Sequence, residues 1–126
     1  GCTDYPDSNA GSIQYFQEAL RMTQQISHSL ATVQQQIAEL DAIRKQTLQD
    51  LNTVAGAERV AKWKLKTVVL LSDIVGKEEG RKFAGIAPGP SFTNDLLEEF
   101  TDLVDCYRTP LATLAKHLAQ SSRSGS

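Results

Sequence analysis

Between Ile13 and Val54 the chain holds neither glycine nor proline, and its apolar residues recur at helical spacing. Ile13, Phe16 and Leu20 are followed by Ile26, Leu30, Val33, Ile37, Leu40, Ile43, Leu48, Leu51 and Val54, with Thr23 filling one position of the ridge. The steps are mostly three and four, close to the period of a coiled-coil ridge. The intervening residues are mainly Gln, Glu, Lys and Arg, which favour helix and prefer water. One helix of about 40 residues follows, about 60 Å long at 1.5 Å per residue. Its weak point is Ser27-His28-Ser29, poor helix formers in a row, which leaves open a bend or a break into two helices there. Residues 1–12 are polar and turn-forming and read as a flexible tail, with Ser12 as the N-cap.

Gly56 reads as the end of this first helix. A second helix is expected from about Ala57 to Gly76, with Val60, Trp63, Val68, Leu71, Ile74 and Val75 inward. Residues 76–92 contain Gly76, Gly80, Gly85 and Gly89 with Pro88 and Pro90, and read as the longest internal loop. A compact domain seldom carries such a loop without a use for it. Ser91 or Thr93 is the expected cap of a last helix with the ridge Leu96, Phe100, Leu103 or Val104, Tyr107, Leu111, Leu114 and Leu118. Thr109-Pro110 either kinks that helix or starts a short separate one. Residues 121–126 read as a second polar tail. No run of strand length alternates apolar with polar, so the fold class is all-α: an antiparallel bundle of three to four helices over residues 13–120, with a long first helix. The second and last helices are too short to cover the first one entirely. Either the first helix breaks near His28, or a second chain covers Phe16, Leu20, Ile26 and Leu30.

At 126 residues the chain suits one core, and a net charge of -2 gives no general attraction to nucleic acid, so none is expected as partner. The longest strongly apolar run is Val68 to Leu71, far short of a membrane span. The cysteines, Cys2 and Cys106, are too few for a disulfide framework. Gly1-Cys2 followed by the polar stretch Thr3 to Ser12 resembles the mature end of a bacterial lipoprotein, which implies lipid on Cys2 and a tether to a membrane. His28 and His117 stand alone, without cysteines or a second histidine at ligand spacing, so neither a metal nor another cofactor is expected. No nucleophile comes with a base and an orienting group, and the expectation is a protein without catalytic residues. Gly76-Lys77-Glu78-Glu79-Gly80-Arg81-Lys82 lacks the spacing and the strand of a phosphate-binding loop. Asp95, Glu98, Glu99 and Asp102 share a helical face and read as solvated.

The remaining feature is basic. Arg59, Lys62, Lys64, Lys66, Lys77, Arg81 and Lys82 are seven of the thirteen Lys and Arg, with Trp63 among them. A surface of that kind suits anionic lipid headgroups. The plainer alternative pairs these cations with the acidic stripe of the last helix and puts Trp63 in the core. Long Gln-rich helical hairpins with a following short bundle are similar in architecture to accessory proteins of bacterial secretion and conjugation systems, a likeness of shape that implies no activity. The expected function is thus a soluble protein-interaction or scaffolding module that binds another protein or itself through Phe16, Leu20, Ile26 and Leu30. The alternatives are a membrane-surface domain using the 59–82 segment or Cys2, and a small-ligand binder with its pocket under the 76–91 loop.

Overall fold

The structure, a computed structural model, describes residues 4–90 and 92–124, with side chains from 16 to 90 and 92 to 121. Among these the chain is all-α. Helix α1 spans Asp4–Asp50, α2 Thr53–Leu70, α3 Lys77–Ala84 and α4 Leu96–Ser124, and α2 continues through one π-helical turn, Leu71–Val75. Gly1 and Cys2, and with them the lipoprotein-like start, lie outside the described residues.

α1 is a single helix of 47 residues, about 70 Å long. It starts before Ser12, which is therefore inside the helix instead of capping it. Pro6 falls in its first turn, where the missing amide hydrogen costs no helical bond. Of the two alternatives left open at His28, the break does not occur. Ser29 is buried and its hydroxyl donates to the Ile74 carbonyl at 3.1 Å, so a residue that weakens an isolated helix ties this one to the end of the π turn.

The other end of α1 comes sooner than the ridge suggested. Leu51 adopts a left-handed φ of 57° and its amide donates to the Thr47 carbonyl at 2.8 Å. The Asn52 side chain then caps α2 by accepting from the Ala55 amide at 3.1 Å. Leu51 and Val54 thus belong to the turn and to α2, and both are exposed. Gly56 does not stop a helix. It is buried within α2, where a Cβ would lie 2.4 Å from Thr47 Oγ1 and 2.9 Å from Phe100 Cε2. The absent side chain lets α1, α2 and α4 close on one another.

The glycine-rich segment is only partly a loop. Residues 77–84 form α3, with Phe83 buried. Gly80 packs against the π turn, since a Cβ there would come within 1.9 Å of Ser72 Oγ. Tertiary packing here outweighs the low helix propensity of glycine. α4 is one helix of 29 residues with Pro110 inside it, and it continues through residues 121–124 of the expected tail. Its cap is Asp95, which accepts from the Leu97 amide at 2.9 Å, while Thr93 accepts from the Asp95 amide.

The core combines Val33 and Leu40 of α1, Val60 and Trp63 of α2, Leu71, Phe83 of α3, and Phe100, Val104, Tyr107 and Leu111 of α4. Trp63 meets Phe83 edge to face at 5.8 Å between ring centres. The contacts Thr47 to Gly56, Gln36 to Trp63, and Ser29 to Ile74 fix an antiparallel register of α2 on α1. Arg108 donates to Asp41 at 2.9 Å, and Phe100, earlier on α4, meets Gly56 beside Thr47, later on α1, which sets α4 antiparallel to α1 as well. Ser124 lies 16 residues beyond Arg108, level with residue 25 of α1 (41 − 16). The part of α1 before about residue 25 therefore extends past the bundle. Gly56→Ala should cost about 1–3 kcal/mol through overpacking. Urea unfolding checks it, and the cost should fall in a Thr47→Ala background, which removes the nearest clash.

Candidate interaction surfaces

The α1 ridge changes character along its length. Val33 and Leu40 are fully buried, Ile26 and Leu30 are half-buried, and Leu20 and Phe16 are 47% and 64% exposed. Met22 is also exposed. The four residues expected to form a contact ridge thus divide into a pair held at the bundle edge and a pair left in solvent. Exposed apolar side chains this close together on one helix are uncommon in a surface that faces only water.

The basic segment is not one surface. Lys66 pairs with Glu39 of α1 at 2.6 Å, Arg59 approaches Asp50 at 3.9 Å, and within α3 Arg81 pairs with Glu78 and Lys82 with Glu79. Lys64 donates to the Ile86 carbonyl at 2.6 Å and lies 5.0 Å from the Tyr107 ring centre. Lys62 and Lys77 are exposed, with no acidic partner among the described residues. The acids that answer these cations come from α1 and α3, not from the acidic stripe of α4. For Lys66 and Arg59 the sequence could not show this, because their partners are set by how α2 lies on α1.

Trp63 is in the core. It is 4% exposed and donates its indole N–H to the Gln36 carbonyl at 2.9 Å, so it is not offered to a membrane surface. Around it runs a buried polar chain. The Thr67 hydroxyl faces Gln36 Oε1 at 2.9 Å and the Trp63 carbonyl at 2.8 Å, two acceptors for its one proton. Gln36 Nε2 donates to Glu39 Oε2 at 2.7 Å, and Glu39 in turn holds Lys66. These linked hydrogen bonds make it a specific lock between α1 and α2.

A groove of about 700 Å³ opens at the end where α2 and α4 both begin, walled on one side by Pro88-Gly89-Pro90. Val54, Ala57, Leu96, Leu103 and Cys106 supply apolar surface. A pocket under this loop was among the alternatives the sequence left open; the signal was the Pro-Gly-Pro segment itself. Of the acidic stripe of α4, Glu99 and Asp102 border the groove, while Asp95 caps the helix. A second depression of about 320 Å³ is lined by Asp41, Arg44, Lys45, Asp105 and Arg108, whose opposite charges nearly balance. The Arg108 guanidinium is held above its usual pKa by its hydrogen bond to Asp41 and then by the attraction of that charge. His28 and His117 are both exposed, and no group of three His, Cys, Asp or Glu among the described residues could hold a metal ion. No helix among the described residues is long and apolar enough to cross a membrane.

Comparison with family models, with curated proteins and with solved structures finds no match to this chain. The surfaces therefore have to be read from their own chemistry. As the sole tryptophan, Trp63 reports the core directly. Its fluorescence should be blue-shifted in the native protein, resist acrylamide quenching and stay unchanged when anionic vesicles are added. Thr67→Val removes the hydroxyl that Gln36 Oε1 and the Trp63 carbonyl share and should cost about 1–3 kcal/mol in chemical denaturation.

Proposed function

We propose that this protein is a non-enzymatic interaction module whose working surface is the free N-terminal part of α1, and that this surface joins a second copy of the chain. The observation carrying the reading is the exposure of Phe16 and Leu20 on a helix that overruns its own bundle. The same ridge, a few turns further on, is the one that Val33 and Leu40 use to build the core. A ridge of that spacing packs well against another helix of the same kind. Its flanks favour like meeting like. Gln17, Gln24 and Gln25 are neutral, and the charges of Glu18 and Arg21 cancel, so two copies meet little electrostatic repulsion.

The membrane-surface reading has less to support it. Its tryptophan is buried and four of its seven cations are paired with acids. Sedimentation with vesicles of neutral and of anionic lipid measures what Lys62 and Lys77 contribute; strong binding to the anionic vesicles alone would favour that reading instead.

Sedimentation velocity over a range of concentrations should show the wild type associating, and Leu20→Asp should remain a monomer with an unchanged melting temperature. A carboxylate at a position already 47% exposed in the single chain costs little there, but would be unpaired and buried in a contact. A wild type that stays monomeric at every concentration, or a Leu20→Asp chain that loses stability with no change in mass, would contradict the proposal.

A further inference from the structure

The groove at the start of α2 and α4 differs from the rest of the surface in its charge. Glu58 on α2 and Glu99 and Asp102 on α4 stand along it, all exposed, and no lysine, arginine or histidine lines it. None of the three carboxylates belongs to an ion pair among the described residues. Other acids of the molecule do meet cations, as Glu39 with Lys66 and Asp41 with Arg108 show. Two helix ends also point into this region, each worth about half a positive charge, and three full negative charges outweigh them.

The shape narrows the guest further. Phe100 forms a buried floor, Leu103 and Cys106 are half-buried, and the apolar surface continues outward over Val54 and Leu96, which are 71% and 64% exposed. A small ligand would leave that outer strip uncovered. Pockets for small ligands also carry a few polar groups converging on the guest. Here the charged groups are exposed to solvent along the groove, the arrangement that suits a helix laid lengthwise with its apolar face down. The α1 overhang of a second copy is a poorer match, because Glu18 accompanies Arg21 and leaves it without net positive charge.

We propose that this groove binds an amphipathic helical segment of another protein, with large apolar side chains entering between α2 and α4 and flanking lysine or arginine meeting Glu58, Glu99 and Asp102. The site is separate from the α1 ridge, so either can fail without the other.

The test uses the full chain and two dye-labelled model peptides of helical spacing, one of leucine and lysine, the other of leucine and glutamate, read by fluorescence anisotropy. The lysine peptide should bind and the glutamate peptide should not. Asp102→Lys should weaken binding by about tenfold or more, while Asp73→Lys, an equal change of net charge at an exposed position of the π turn, should leave it within about twofold. Val54→Asp separates docking from simple charge attraction. It adds a negative charge, so attraction alone predicts tighter binding, whereas a guest seated on Val54 predicts weaker binding. Circular dichroism confirms that each variant is folded.

Equal weakening by Asp73→Lys and Asp102→Lys, or tighter binding to Val54→Asp, would overturn the proposal. So would saturable binding of dodecyltrimethylammonium with none of the lysine peptide, which would assign the groove to a small cation. Loss of self-association in Asp102→Lys would assign it to a second copy.

Discussion

Gln36 lies at the middle of the α1–α2 contact, 2% exposed, and a side chain with that much hydrogen-bonding capacity can be buried in one arrangement only. Its carbonyl receives the Trp63 indole, its side-chain oxygen faces Thr67, and its side-chain amide donates to Glu39. Sliding α2 along α1 by a turn would strand these groups without water, at a cost that apolar contacts of similar area would not impose. Leucine on leucine tolerates a shifted register, and a partnered glutamine does not. Gly56 against Thr47 and Ser29 against Ile74 then hold the two ends of the same register. Once α2 is placed, Trp63 organises Phe83 and Tyr107 around it, and α3 and α4 have their positions.

That register also determines what is left uncovered. With Ser29 at the end of the π turn and Asp41 opposite Arg108, neither α2 nor α4 can reach the first turns of α1. The exposed Phe16 and Leu20 are a consequence of lengths: 47 residues of helix against 29 in the longest partner. At the opposite end the two helices that start together leave a groove between them, closed by the stiff Pro88-Gly89-Pro90 wall. The molecule thus has exposed apolar surface at both ends, and ion pairs such as Lys66 with Glu39 and Arg108 with Asp41 along its sides. Surface ion pairs such as Lys66 with Glu39 contribute about 0–1 kcal/mol each, so they add little to the stability of the bundle.

Much of this was legible in the residues. The period from Ile13 onward gave the long helix and its direction of burial, and Val60, Trp63, Phe100, Tyr107 and Leu111 were all expected inward and are. What the sequence hid has physical causes. Glycine was read through its backbone freedom, which places Gly56 at a helix end and Gly80 in a loop. Both instead serve close packing, and that depends on Thr47 and Ser72 from elsewhere in the chain. Serine at position 29 was read by propensity, yet it is held in the helix by a carbonyl 45 residues away. Pro110 suggested a kink or a new helix start, and α4 runs through it as one helix. The groove was visible only as a loop with a purpose, because its acids and its apolar wall come from three separate stretches.

The continuity of α1 carries the whole account, since a break near His28 would fold the exposed ridge back onto the bundle and remove the overhang. Spin labels at positions 17 and 46, both exposed in the single chain, measure it directly by pulsed electron resonance. The background replaces Cys2 and Cys106, and excess unlabelled protein suppresses distances between copies. The 29 residues between the labels predict a separation near 44 Å along an unbroken helix at 1.5 Å per residue. A narrow distribution around that length is the expected result. A distribution centred at roughly half of it would mean that the first helix doubles back, and would contradict both the overhang and the register from which it follows.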